Sequence, residues 1–236
     1  MSPPFEKRIG ENLAEVEGRI AEAALRSGRR PGDVRLVAVT KYVEIELIEP
    51  LLARGCRTLG ESRPQHLWPK AEALAGRDVA WHMIGPLQRN KVRRTLPLVE
   101  MIHSADSFRL VETIDRIAAE LQRSARLLLE VNASGDQAKH GLADAQLEDV
   151  LSRLAEYRHV EVCGLMCMAG LDSGPEETRR EFARLRHTRD RLRSSCPGGA
   201  ALEELSMGMS GDYEIAIEEG ATIVRIGSAL FEGVLK

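Results

Sequence analysis

Lys41 closes the run Val34-Arg35-Leu36-Val37-Ala38-Val39-Thr40-Lys41, a β-branched apolar stretch bounded upstream by Pro31-Gly32-Asp33. Such a run reads as a buried strand, and a lysine at its carboxyl end stands where parallel α/β sheets place their chemistry. An amine there can attack a carbonyl carbon. Far along the chain, Ser206-Met207-Gly208-Met209-Ser210-Gly211-Asp212 precedes a short helix. Its two glycines permit close backbone approach, its serine can donate, and free helix amides favour an anion. The same residues also read as an ordinary glycine turn with Ser210 or Asp212 as N-cap. Arg225 lies between Val224 and Ile226 and by period two shares a face with Ile223 and Gly227. If that face is interior, the guanidinium needs an acceptor. A bound anion or a structural carboxylate such as Glu61 would serve, and Gly227-Ser228 adds a second small, donor-rich loop.

The elements that must position these groups follow one another regularly. An amphipathic helix from Pro4 to about Ser27 carries Ile9, Leu13, Val16, Ile20, Ala23 and Ala24 on one face. Eight apolar strand-like runs follow, at 34–41, 56–62, 79–85, within 98–106, 125–131, 160–168, 201–207 and 222–226. Helical patterns separate them: Ile45, Ile48, Leu51 and Leu52 closed by Gly55, then 64–74, a short basic helix at 88–96, 107–122, 144–157, 176–194 ended by Pro197-Gly198-Gly199, and 212–219. Eight βα units without a compositional break predict a single-domain (β/α)8 TIM-like barrel over 1–236. The chain leaves little room for a final helix, so the N-terminal helix is expected to cover that side. Closure makes strands one and eight neighbours, which brings Lys41, Arg225 and the two Gly/Ser loops together.

Composition narrows the partners. Lys plus Arg total 33 against 36 Asp plus Glu, a net charge of −3, which supplies no global field for nucleic acid or an anionic membrane. No apolar run approaches the ~18–20 residues of a membrane span, and the N-terminus resembles no signal peptide, so a cytoplasmic protein with a small-molecule ligand is expected. Cys56, Cys163, Cys167 and Cys196 are too scattered for a disulfide framework. The C-x3-C pair has no close histidines, and no metal site is expected. Gln88-Arg89-Asn90-Lys91-Val92-Arg93-Arg94 reads as a solvated basic face, since no aromatics interleave it for RNA. His82 and His103 stand near strand ends as acid/base candidates or hydrogen-bonded loop-layer residues. Met166, Met168, Met207 and Met209 read as pocket wall and core.

A lysine able to form a Schiff base, an arginine beside a ring nitrogen and a phosphate cradle are what pyridoxal 5′-phosphate requires. The segments Val37-Ala38-Val39-Thr40-Lys41, Gly60-Glu61-Ser62, His82-Met83-Ile84-Gly85-Pro86-Leu87-Gln88-Arg89-Asn90-Lys91, His103-Ser104-Ala105-Asp106-Ser107, Gly164-Leu165-Met166, Ser206-Met207-Gly208-Met209-Ser210 and Val224-Arg225-Ile226-Gly227-Ser228 resemble the pyridoxal phosphate homeostasis protein family, in order, over about residues 34–231. The resemblance implies a barrel related to the N-terminal domain of alanine racemase, with the cofactor as an aldimine on Lys41. It places cofactor contacts at Ser206, Met209, Ser210, Arg225, Ile226, Gly227 and Ser228. Among these, Arg225 would meet the pyridine nitrogen and Ser210, Gly227 and Ser228 would hold the phosphate. Ser62 stands where the family usually has asparagine, Arg63 follows it, and Asp136 replaces a usual glutamate in the loop 131–141.

What the resemblance implies for function is a non-catalytic carrier in vitamin B6 homeostasis, a monomer or weak dimer that buffers the aldehyde and delivers it to apo-enzymes. The alternative is an amino-acid racemase or related aldimine catalyst. Racemisation by two bases needs an acid/base on each face of the cofactor, and the second base of alanine racemase comes from a C-terminal domain without a counterpart here. A third class binds a phosphorylated metabolite non-covalently and leaves Lys41 incidental.

Overall fold

The β-branched runs pair in parallel because each is followed by a helix that must return the chain to the same end of the sheet. In the computed structural model, which describes residues 4–132, 141–170, 173–195 and 201–235, the strands are β1 Arg35–Val39, β2 Thr58–Glu61, β3 Ala80–Met83, β4 Met101–Ala105, β5 Ala125–Glu130, β6 Val160–Met166, β7 Glu204–Ser206 and β8 Ile223–Ile226. They close into a barrel in sequence order. The seam is the pairing of β1 with β8, which sets Val37 opposite Arg225 and Ala38 opposite Ile226. The helices are α1 Pro4–Arg26, α2 Ile45–Ala53, α3 Pro64–Ala73, α4 Val92–Thr95, α5 Phe108–Glu120, α6 Asp144–Ser152, α7 Pro175–Ser195 and α8 Tyr213–Glu218. The (β/α)8 architecture expected from the sequence is thus present, the runs being trimmed by up to three residues at their ends.

Two apolar layers follow from strand alternation, which a bulge interrupts where β6 pairs with β5. Outward residues such as Ala38, Leu59, Leu127, Leu205, Val224 and Ile226 pack against the helices. Inward residues Val37, Met101, Leu128, Cys163, Met166 and Ile223 fill the barrel, with Ile84 against them. α1 buries Ile9, Leu13, Val16, Ile20, Ala23 and Ala24, at about 1.5–3 kcal/mol for each large side chain. It covers the region after β8, where Asn12 donates from Nδ2 to the carbonyls of Leu230 and Glu232. Arg19 and Arg26 of α1 pair with Glu214 and Glu218, and Arg179 of α7 pairs with Glu218 and Glu219, so the short α8 is clamped from both sides.

Two helical readings are corrected. The basic segment 88–96 is not one helix: 3-10 turns at Arg89–Lys91 and Leu96–Leu98 flank the single α-turn of α4. Pro97 has no N–H to continue the ladder. The helix expected at 144–157 ends at Ser152 and gives way to a 3-10 turn at Leu154–Glu156. Pro197-Gly198-Gly199, Cys196 and Asp136 lie outside the described residues.

Candidate functional site

At the carboxyl ends of the strands lies a cavity of about 450 Å³, lined by Val39, Lys41, Ser62, Ile84, Gly85, Pro86, Glu130, Met168, Met209, Ser210, Gly211, Arg225, Gly227 and Ser228. Lys41 follows β1 two residues after Val39, on the strand's inward phase. It is exposed at the rim, with its Nζ 5.2 Å from the centre of the Tyr42 ring. A larger hollow of about 710 Å³ lies beside Gln88, Arg89, Asn90 and Arg109. It holds neither Lys41 nor Arg225 nor either Gly/Ser loop, so the Lys41 cavity is the candidate site.

Arg225 forms the cavity floor and is only 4 % exposed. Its Nη1 donates to Ser206 Oγ at 2.6 Å and its Nη2 to the Cys167 carbonyl at 2.9 Å. Burial pulls this guanidinium below its ordinary range, opposed by the more distant charges of Asp212 and Glu130. Among the described residues no carboxylate reaches ion-pair distance of it. The structural alternative, Glu61, faces the other way. Gly60 and Ser62 carry the inward phase of β2, and Glu61 turns outward, where its Oε1 accepts from Lys70 Nζ at 2.5 Å and Thr40 Oγ1 at 3.1 Å. Lys70 also donates to the Thr40 carbonyl at 2.6 Å, and so ties α3 to the residue preceding Lys41.

The two Gly/Ser loops meet at the cavity wall. Ser210 Oγ accepts from the backbone amides of Gly227 and Ala229 at 3.3 Å each. Asp212 occupies the N-cap position of α8, but its carboxylate accepts from the Met209 amide at 2.5 Å, and burial raises its pKa. Gly208 has φ +92°, and a Cβ there would lie 2.6 Å from Ala216 Cβ and 2.9 Å from Tyr213 Cα. Glycine is therefore what lets this loop lie against α8. A Cβ on Gly85 would lie 2.4 Å from the Ser62 carbonyl oxygen, so the loops after β2 and β3 also touch backbone to backbone.

The structure separates the predicted residues. Lys41, Met209, Ser210, Arg225, Gly227 and Ser228 line one cavity. Ser206 lies beneath it as the partner of Arg225, and the Ile226 side chain packs outward among the helices. Of the methionines, Met168 and Met209 line the cavity, Met166 fills the barrel, and Met207 is helix-facing core. Sequence reasoning did not single out Glu130, which ends β5 at the cavity wall. The rule that pointed to Lys41, a polar residue closing an apolar strand, also applies to it. His82 and His103 are not in the loop layer. They sit wholly buried inside the barrel, with Nδ1 of His82 2.9 Å from Nε2 of His103 and Nδ1 of His103 2.9 Å from Ser206 Oγ. Burial, reinforced by Arg35 and Arg126, pushes His82 down to about 3. Burial, His82 and Arg225 hold His103 well below the ordinary imidazole range.

The chain matches the alanine racemase N-terminal domain family over residues 12–233. It is 40% identical over 221 residues to the pyridoxal phosphate homeostasis protein of Aquifex aeolicus, covering 94% of this chain and 96% of that one. Against the Synechocystis protein of the same name identity is 40% over 202 residues, covering 85% and 92%. Among solved structures, PipY of Synechococcus elongatus with PLP bound superposes with a TM-score of 0.83 at 38% identity, covering 94% of this chain and 99% of that one. Alanine racemase from Corynebacterium glutamicum shares the fold, with a TM-score of 0.72 at 17% identity over 98% of this chain and 63% of the enzyme.

Proposed function

The chain belongs to the pyridoxal phosphate homeostasis protein family, and from that premise we propose that it holds pyridoxal 5′-phosphate covalently through Lys41 and acts as a carrier without robust catalysis. The observation that carries this is the convergence, on one cavity, of an exposed strand-end amine, a buried guanidinium with no carboxylate partner among the described residues and two Gly/Ser loops. The residues fit the group. Gly227 and Ala229 present their amides to Ser210 Oγ at 3.3 Å, long for a hydrogen bond, so an anion can draw on these donors and the hydroxyl together. Arg225 at the floor offers a cation to a ring nitrogen, while Lys41 at the rim is open to solvent and to an incoming protein. Ser62, Ile84 and Met209 supply wall at the sides.

When bound, the cofactor supplies an aldehyde and a ring able to accept electrons. A guanidinium stays protonated under all ordinary conditions, so Arg225 can donate to the ring nitrogen but not accept a proton from it. Arg225 would thereby leave that nitrogen unprotonated, and a ring held in this way would draw electrons from an amine only weakly. That favours storage over carbanion chemistry. The proposed setting is cytoplasmic, as a monomer or weak dimer, with apo-enzymes as recipients. Among the described residues no helix is long and apolar enough to cross a membrane.

The visible spectrum of the protein as purified tests the reading. A yellow protein discharged by borohydride is expected, with alanine interconversion far below the ~1–1000 per second typical of enzymes. A colourless protein that binds phosphorylated metabolites would support the non-covalent reading instead, and racemisation at enzymatic rates would overturn the carrier.

A further inference from the structure

We infer that Ser206, His103 and His82 are positioning residues for Arg225, a one-way chain of hydrogen bonds across the barrel that fixes the guanidinium at the cavity floor. The inference rests on the proposed reading that Arg225 meets the cofactor ring. The four side chains come from β8, β7, β4 and β3, and each is essentially withdrawn from solvent.

Donor counting sets the direction of the chain. Arg225 Nη1 can only donate, so Ser206 Oγ accepts it at 2.6 Å. The hydroxyl proton is then free for His103 Nδ1, which lies 2.9 Å away. His103 must carry its own proton on Nε2 and give it to His82 Nδ1 at 2.9 Å. His82 is thereby also the Nε2–H tautomer, and its Nε2 is the atom of the chain without a partner among the described residues. In the reverse direction the Ser206 proton would be stranded as well as His82 Nε2, two unsatisfied atoms in place of one. With Nη2 held by the Cys167 carbonyl, the guanidinium is pinned by two fixed acceptors. Neither is a carboxylate, so its charge stays available to a ligand. The charged and titratable groups facing the imidazoles are Arg35, Arg126 and Arg225, together with the rings themselves. All of these oppose a proton on either ring, and the relay stays neutral.

The test combines imidazole 15N NMR on the ligand-free protein with pyridoxal 5′-phosphate titration of Ser206→Ala and Ser206→Thr. The expected result is a neutral Nε2–H tautomer for His82 and His103. Ser206→Ala should move the His103 Nδ1 resonance, shift the cofactor absorption band and weaken binding about tenfold, the worth of one charge-assisted hydrogen bond. Ser206→Thr, which keeps the hydroxyl, should restore all three. A residue that merely fills the barrel would lower the melting temperature in both variants without moving resonance or band. An Nδ1–H or charged His103, or a Ser206→Ala protein with unchanged resonance and affinity, would overturn the inference. Failure of the wild type to bind the cofactor would defeat the functional reading and with it the positioning role, while the tautomers would still decide the direction of the chain.

Discussion

Acidification should destabilise this barrel well before its carboxylates titrate, because it holds two histidines that fold uncharged. His82 is pushed down to about 3 and His103 lies well below its ordinary value, both chiefly through burial. In the unfolded chain each returns to a pKa of ~6.5. Between those limits the unfolded state binds more protons than the folded one, so stability falls as pH falls. For one such histidine the loss between about pH 7.5 and about pH 5 is roughly 1.36 × log(1 + 10^1.5), or about 2 kcal/mol, and about 4 kcal/mol for the pair. That is a large part of the ~5–15 kcal/mol typical of a domain. The carboxylates paired with arginine, such as Glu214 and Glu218, have lowered pKa values and contribute only at lower pH. Urea denaturation of cofactor-free protein at the two pH values measures the difference directly. His103→Phe should remove about half of it. An equal midpoint at both pH values would show that neither imidazole is held uncharged by the fold, and would refute the reasoning.

Other perturbations address the supports of the site. Lys70→Met should cost about 3–5 kcal/mol in denaturation experiments, because it leaves the fully buried Glu61 without its cation. Glu61→Leu combined with Lys70→Met should recover most of that loss. Gly208→Ala meets a positive φ and contacts of 2.6 and 2.9 Å. It should lower stability by more than about 1 kcal/mol and weaken phosphate binding, whereas Gly18→Ala, with nothing within 4 Å, should not.

The eight strands were legible because parallel strands buried on both faces are nearly continuous apolar runs. Their number, with helices between, implied closure, and closure alone put Lys41 beside Arg225. Which face of a strand looks inward was less legible. Arg225 shares its face with Ile223, as period two requires, but the sequence did not reveal that Glu61 on β2 looks out toward α3. The ion pair with Lys70 is therefore visible only in three dimensions. His82 and His103 stand 21 residues apart, and nothing in either segment shows that adjacent strands set their rings against each other. The basic stretch around Arg89 carried helical composition, and Pro97 limited it to a single α-turn.

The most direct test of the central claim is where pyridoxal 5′-phosphate becomes attached. Borohydride reduction of the loaded protein, followed by proteolysis and mass spectrometry, should place the reduced adduct on Lys41, and Lys41→Ala should abolish both adduct and colour. An adduct on another lysine, such as Lys70 or Lys91, or colour that survives in Lys41→Ala, would contradict the account.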